Sequence, residues 1–503
     1  MFPSTISFTI NTRPVAKILI ALAITLLFSS WGKIADRNTL RYTAGEAAFN
    51  IAVSRHVITL QGKRLAYQAT AGYQLLNSAA GKPLANIFYT AYTLPGAAHQ
   101  KRPVTFLFNG GPGSASLWLH MGAFGPIRVH ENGVACANSD SWLAFTDLVF
   151  IDPIGTGYSR PADGVDARQF YGYHEDIAAI AGFIRQYIAG HQLENSPKFL
   201  AGESYGALRA IGLAEELQQN GGIKLAGITL ISPALNYQLI SFKPGNETAY
   251  SYYLPSYAIA AQYHKRLSPE LTRLSPEELL DKVNCFAQGS YQRFLNLGDA
   301  APTALKRQVM DSLGYYTGLP QRYLESLNGR ITDGEFTKEL LNDSQTTIGT
   351  FDSRFKGALQ NGDPSITAIR GTFTKTFHQY INESLNYQNK LPYLATTATA
   401  DWNYGPEASN SYMDASATLR KVMTQNPGLK ISVAGGYYDL ATPVGSTGYV
   451  LHHLGLNPAL LKNITVNYYH TGHMLYTSDA ANTRFSKDSE TFYRNTLTAT
   501  TKS

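Results

Sequence analysis

Two cysteines, Cys136 and Cys285, are all that the 503 residues carry. At most one internal disulfide is therefore open to the chain, and a densely cross-linked scaffold is excluded. The histidines lack closely spaced Cys, His or carboxylate partners, so no bound metal is expected. No internal repeat, coiled-coil heptad or low-complexity tract is present. The formal charge is +6, but no basic run with interleaved aromatics stands out, which leaves nucleic-acid binding without support. The apolar run Ile18 to Phe28, broken only by Thr25, falls short of the ~20 residues that cross a bilayer comfortably.

That run has a second meaning. Arg13 and Lys17 precede it, and the small residues Ser29, Ser30 and Gly32 follow, which is the order of a signal peptide. Residues 1–32 are expected to be removed on export to the periplasm or the extracellular space. Cleavage there deletes two basic residues and no acids, taking the charge from +6 to 6 − 2 = +4. The alternative is an uncleaved membrane anchor over residues 18–28.

What the chain does have is concentrated in four places. Gly202-Glu203-Ser204-Tyr205-Gly206 follows the apolar run Phe199-Leu200-Ala201 and opens a helix-like segment from Ala207 to Gln218. A strand, a Gly-x-Ser-x-Gly turn and a helix make a nucleophile elbow. The glycines let the chain turn sharply enough to hold a serine in a strained conformation with its hydroxyl exposed. Ser204 is the candidate nucleophile.

Such a serine needs an acid and then a histidine later in the chain, each at the end of a later strand. Leu429 to Ala434 reads as a buried strand that ends in Gly435-Gly436-Tyr437-Tyr438, which places Asp439 as the acid. Ile464 to Tyr469 reads as another strand and runs into His470-Thr471-Gly472-His473-Met474. His473 is the preferred base, because it lies beyond a glycine where a loop can carry it over the sheet edge. His470 is expected to end the strand.

Val104 to Phe108 is a further buried strand pattern, followed by the glycine-rich loop Asn109-Gly110-Gly111-Pro112-Gly113. A loop with so little side chain can bring backbone N–H groups against the oxyanion formed in acyl transfer. Gly111 and Tyr205 are the expected oxyanion donors. A phosphate-binding reading of the loop fails for want of a Gly-Lys-Ser/Thr ending.

In combination, Asn109-Gly110-Gly111-Pro112-Gly113-Ser114, Gly202-Glu203-Ser204-Tyr205-Gly206, Gly436-Tyr437-Tyr438-Asp439 and Gly472-His473-Met474 resemble the signature blocks of the serine carboxypeptidase family. Trp142 and the stretch Leu148 to Ser159 resemble the family's strand and loop ahead of the elbow. The resemblance covers about Leu40 to Leu235 and Asp401 to Phe492. It implies an exopeptidase that acts on peptides with a free C-terminus, prefers acidic pH and needs no cofactor. It also places Asn109 and Glu203 where the family binds the substrate's terminal carboxylate. Burial and a neighbouring carboxylate both favour a protonated Glu203, which then donates a hydrogen bond. Leu107 stands where the family often has Trp, and Ser114 where it has Cys, so the pocket beside the terminal group and the disulfide framework depart from the better-known secreted members. Two cysteines are sparse for a secreted eukaryotic enzyme and ordinary for a bacterial periplasmic one, which points to a bacterial-type member.

The blocks run from position 109 to 473, so one large core must contain them. The expected fold is α/β-hydrolase: a mostly parallel sheet flanked by helices, with core segments 33–235 and 401–503. Residues 236–400 read as a mainly helical cap, with Pro269 to Val283 and Gln345 to Leu359 as helices and loops over a cleft. The aromatic-rich stretch Tyr237 to Lys265 is a candidate for reaching that cleft. Cys136 lies in the expected core and Cys285 in the cap, so a bridge between them would pin one to the other. Two further readings stay open on the same scaffold, an acyltransferase or esterase and a catalytically silent binding protein.

Overall fold

The computed structural model describes residues 51–96, 101–399, 402–406, 408 and 412–500. All of them fall within one compact unit, Arg41–Ser503. The expected signal peptide, residues 1–32, lies outside the described residues.

The sheet is built around five consecutive parallel pairings. Its strands are β1 (Ile51–Leu60), β2 (Lys63–Asn77), β3 (Pro83–Thr93), β4 (Val104–Phe108), β5 (Asp147–Ile151), β6 (Lys198–Glu203), β7 (Gly227–Ile231), β8 (Lys430–Gly436) and β9 (Ile464–Tyr469). Their spatial order is β1-β2-β3-β5-β4-β6-β7-β8-β9, and the two-residue strand Arg160–Pro161 pairs beside β3. From β5 across to β9 every pairing is parallel, while β1, β2 and β3 join antiparallel. The chain thus has the α/β-hydrolase fold expected of it.

The strand sequences follow from this layering. Every residue of β4, β5, β6 and β7 is buried, because parallel connections put helices on both faces and no side is left for polar residues. Successive side chains divide between two cores. On one face Phe106, Val149, Leu200, Ile228 and Val433 pack with α1 (Tyr173–Gly190) and α2 (Tyr205–Gly221). On the other face Leu107, Phe150, Phe199, Ile231 and Ala434 meet aromatic residues from later in the chain.

The inserted segment divides in two. Helices α3 (Thr248–Tyr263), α4 (Pro276–Phe286) and α5 (Thr303–Thr317) build a third apolar cluster with Leu324, Phe336 and Ile348, and it reaches the sheet domain at Tyr437, Tyr438, Leu440 and Val444. By contrast α6 (Pro364–Gln379) puts Ile366, Phe373 and Phe377 into the second sheet core. There they lie with Phe485, Phe492 and Tyr493 of the last helix, Asp479–Thr500. The stretch 345–359 also differs from a helical reading. It is a hairpin, Thr346–Ile348 antiparallel to Lys356–Ala358, whose loop points its backbone at the site described below. Cys136 and Cys285 are both exposed free thiols.

Candidate active site

The elbow is local geometry imposed by backbone contact. Ser204 joins β6 to α2 with φ 60° and ψ −124°, a conformation that a non-glycine residue holds only under strain from its surroundings. Its N–H donates to Ile231 O at 2.9 Å, anchoring the turn to β7. The glycine loop after β4 lies directly on this turn, since a Cβ on Gly110 would sit 2.5 Å from Tyr205 N and the same distance from Glu203 O. Gly206 is equally constrained, its Cβ position falling 2.8 Å from Phe108 O. Close approach of bare backbone, rather than flexibility, is what these glycines supply. Tyr205 opens α2, where a backbone N–H has no partner within its own helix.

Asp439 and His473 arrive on the loops after β8 and β9. His473 Nδ1 donates to Asp439 Oδ2 at 2.7 Å, with both side chains buried. Asp439 is held in turn by the N–H groups of Ala441 and Thr442 at 2.8 and 2.9 Å and by the Thr442 hydroxyl at 2.7 Å. The histidine backbone is fixed from both sides. Its N–H donates to Phe351 O at 2.6 Å, and its C=O accepts from the Ser232 hydroxyl at 2.7 Å. Burial alone would lower the pKa of His473, but the Asp439 charge and hydrogen bond, helped by the Glu203 charge, outweigh it and hold the imidazole above its ordinary value. His470 sits just past the end of β9 with its side chain exposed, 3.9 Å from Glu277.

Glu203 is buried beside the serine. Its Oε1 accepts from Asn109 Nδ2 at 2.8 Å and from the Tyr476 hydroxyl at 3.4 Å, while Oε2 has no partner among the described residues. Burial pushes this carboxyl up to about 7, against the opposing pull of His473 and the hydrogen bonds from Tyr476 and Asn109. Asn109 is set by Leu119 N–H, which donates to its Oδ1 at 3.1 Å, and by Arg209, whose Nη1 donates to its C=O at 2.6 Å. Arg209 is itself buried and paired with Asp176 at 2.7 Å.

The structure therefore brings Asn109, Gly110, Glu203, Ser204 and Tyr205 together at one turn and joins Asp439 to His473. Thr442, Tyr476, Arg209 and the hairpin loop at Phe351 were not singled out by the sequence. Only Thr442 had a local signal, since an Asp followed within three residues by Thr is a common self-bonding loop pattern. The aromatic stretch Tyr237 to Lys265 splits between the two regions. Tyr237 lies 5.2 Å from Tyr404, which in turn is 6.4 Å from Tyr205, whereas Tyr253 and Tyr257 belong to the core of the insertion. Ser114, at the far end of the glycine loop, is bridged to Thr396. Among the described residues no group of His, Cys, Asp or Glu is disposed to hold a metal, and no helix is long and apolar enough to cross a membrane.

A family model described as serine carboxypeptidase matches residues 60–463. The chain belongs to the serine carboxypeptidase family. Similar relatives within it include the pheromone-processing carboxypeptidase kex1 of Schizosaccharomyces japonicus. That protein is 27% identical over 214 residues, 41% of this chain and 40% of the relative. The kex1 of Pyrenophora tritici-repentis is 36% identical over 123 residues, 24% of this chain and 18% of that protein. The matched part is thus well under half of these curated relatives' length. The crystal structure of a Kex1 prohormone-processing carboxypeptidase from Saccharomyces cerevisiae has the same fold, with a TM-score of 0.55 at 16% identity. It covers 85% of this chain and 91% of the other. The family's core accordingly runs through both halves of the sheet and the insertion between them.

Proposed function

We propose that this member of the family is a bacterial-type serine carboxypeptidase, releasing C-terminal residues from peptides through an acyl-enzyme on Ser204. The observation that carries the reading is Glu203. A carboxyl buried next to the nucleophile, pushed up to about 7 by that burial and with one oxygen unpartnered among the described residues, suits a second carboxylate far better than an internal peptide bond. Asn109, bonded to the other oxygen, would share in holding the substrate's terminal group.

In this reading Ser204 Oγ attacks the carbonyl of the last peptide bond and gives its proton to His473 Nε2. Asp439 keeps the imidazole in the tautomer that leaves Nε2 free. The N–H groups of Gly111 and Tyr205 stabilise the tetrahedral oxyanion, typically a few kcal/mol each. His473 then protonates the departing amino group, the C–N bond breaks, and water repeats the sequence to free Ser204 and the shortened peptide. The insertion over 248–348 would form the cap that limits entry to chain ends, and no metal or cofactor takes part.

Mass spectrometry of a peptide panel, free and C-terminally amidated, tests the reading. Stepwise loss of single C-terminal residues from the free acids, with slow or no cleavage of the amides, is expected; internal cleavage of both would refute it.

We also infer export, to the periplasm or beyond, from the basic, apolar and small-residue order of positions 13 to 32. Two exposed thiols in place of a disulfide framework agree with the bacterial-type assignment. Mature protein from the native host is expected to begin near Lys33 by N-terminal sequencing. An intact Met1 on membrane-extracted protein would favour the anchor instead.

A further inference from the structure

The loop of the 346–358 hairpin touches both of the loops that deliver Asp439 and His473, although it belongs to the insertion and not to the sheet. On the acid side Leu440 N–H donates to Thr350 O, and Ser353 N–H donates to Tyr438 O, each at 2.9 Å. On the base side His473 N–H donates to Phe351 O at 2.6 Å, and Gly472 N–H donates to Asp352 Oδ2 at 3.1 Å. The Phe351 ring stands edge-on to the imidazole, 5.1 Å between centroids. The approach is so close that a Cβ on Gly472 would lie 2.6 Å from Asp352 Cα. This gives a packing reason for the glycine before His473.

Arg354 ties the two sides together. Its guanidinium pairs with the buried carboxylate of Asp352 at 2.6 Å. It also donates to His470 O and to Thr471 Oγ1, both at 3.0 Å, and lies 5.4 Å over the ring of Tyr438. One side chain therefore contacts the residue before Asp439 and the residues leading to His473. Arg266, elsewhere in the insertion, pairs instead with Asp343 at 2.5 Å.

We propose that Asp352 and Arg354 are positioning residues of the hydrolytic site, a staple from the insertion that sets the height of the His473 loop against the Asp439 loop. The proposal rests on the assignment of Asp439 and His473 as acid and base. A bond of 2.7 Å between two loop-borne side chains survives only if the loops keep their relative height, and neither loop carries a disulfide to fix it. Small misplacement of a reacting group is expensive in rate, since an error of about 1 Å is worth on the order of 100-fold. The staple leaves Asn109 and Glu203 untouched, so loss of it should act on turnover rather than on substrate binding.

The test compares Arg354→Met, Asp352→Asn and the control Arg266→Met in the full chain. Arg354→Met is expected to lower kcat by roughly tenfold or more with KM within about twofold of wild type. The downfield proton resonance of the Asp439–His473 hydrogen bond should shift or broaden with it. Arg354→Lys should recover part of both, and Arg266→Met should change neither. Asp352→Asn keeps an acceptor for Gly472 but loses the ion pair, so a smaller change in the same direction is expected. If Arg354→Met does not fold, Asp352→Asn and Arg354→Lys decide by the same two readouts. Wild-type kcat, or a fall in kcat with an unmoved resonance, would overturn the proposal. Retained hydrolysis in Ser204→Ala would instead overturn the assignment of the site itself.

Discussion

Replacing Ser204 with Ala should lower kcat on a free-acid peptide by about a millionfold while leaving the fold intact, because nucleophile and base act as a unit and losing one removes most of the rate. The argument for an intact fold is local. The turn is held by backbone, through Ser204 N–H to Ile231 O and Ala207 N–H to Ser204 O, and neither bond uses the hydroxyl. The side chain is only partly buried, so its truncation leaves no cavity in either sheet core. Kinetics on matched peptides, a thermal melt and a fluorophosphonate label check the three parts together. Wild type should gain the mass of one label at Ser204, and the variant none. Near wild-type turnover in a folded Ser204→Ala protein would show that another residue attacks the substrate.

Glu203→Gln should change the alkaline side of the pH profile. In the wild type the carboxyl titrates at about 7. Below that it carries a proton and can donate to a substrate carboxylate; above it two like charges meet in a buried site and binding weakens. kcat/KM for a free-acid peptide should therefore fall as pH rises through 7 in the wild type, and much less in the variant. Amidated peptides, lacking the charge, should show little difference between the two proteins on the alkaline limb. Identical profiles on the acid peptide would refute the carboxylate pair and leave the nucleophile assignment standing.

The same substitution has a stability signature. The folded-state pKa of Glu203 is raised from 4.5 to about 7, so its contribution is fully present below 4.5 and is lost as pH rises through 7. The loss amounts to about 3 kcal/mol once the group is ionised. Gln does not titrate, so the variant should melt higher than wild type at pH 8 and close to it at pH 4.

The residues of the site were legible because each block is a local solution to a local problem. The Gly-x-Ser-x-Gly turn, the glycine loop after β4 and the short glycine runs at the strand ends are written where bare backbone must pass close to bare backbone. The strand runs announced a sheet covered on both faces, since continuous apolar stretches have no solvent side. By themselves, these patterns determined the α/β class and which of the candidate residues stand at strand ends. Tertiary structure alone decided how the insertion is used. The apolar stripe Ile366, Phe373 and Phe377 says that a helix has a face to bury, but not whether that face meets the cap or the sheet, and it meets the sheet. The stretch 345–359 pairs with itself as a hairpin, and the contacts that hold its loop come from Tyr438, Leu440 and residues 470–473, far away in sequence. Asp352 and Arg354 carry no motif for the same reason. Their role is a matter of which distant loops they touch, and only long-range packing fixes that.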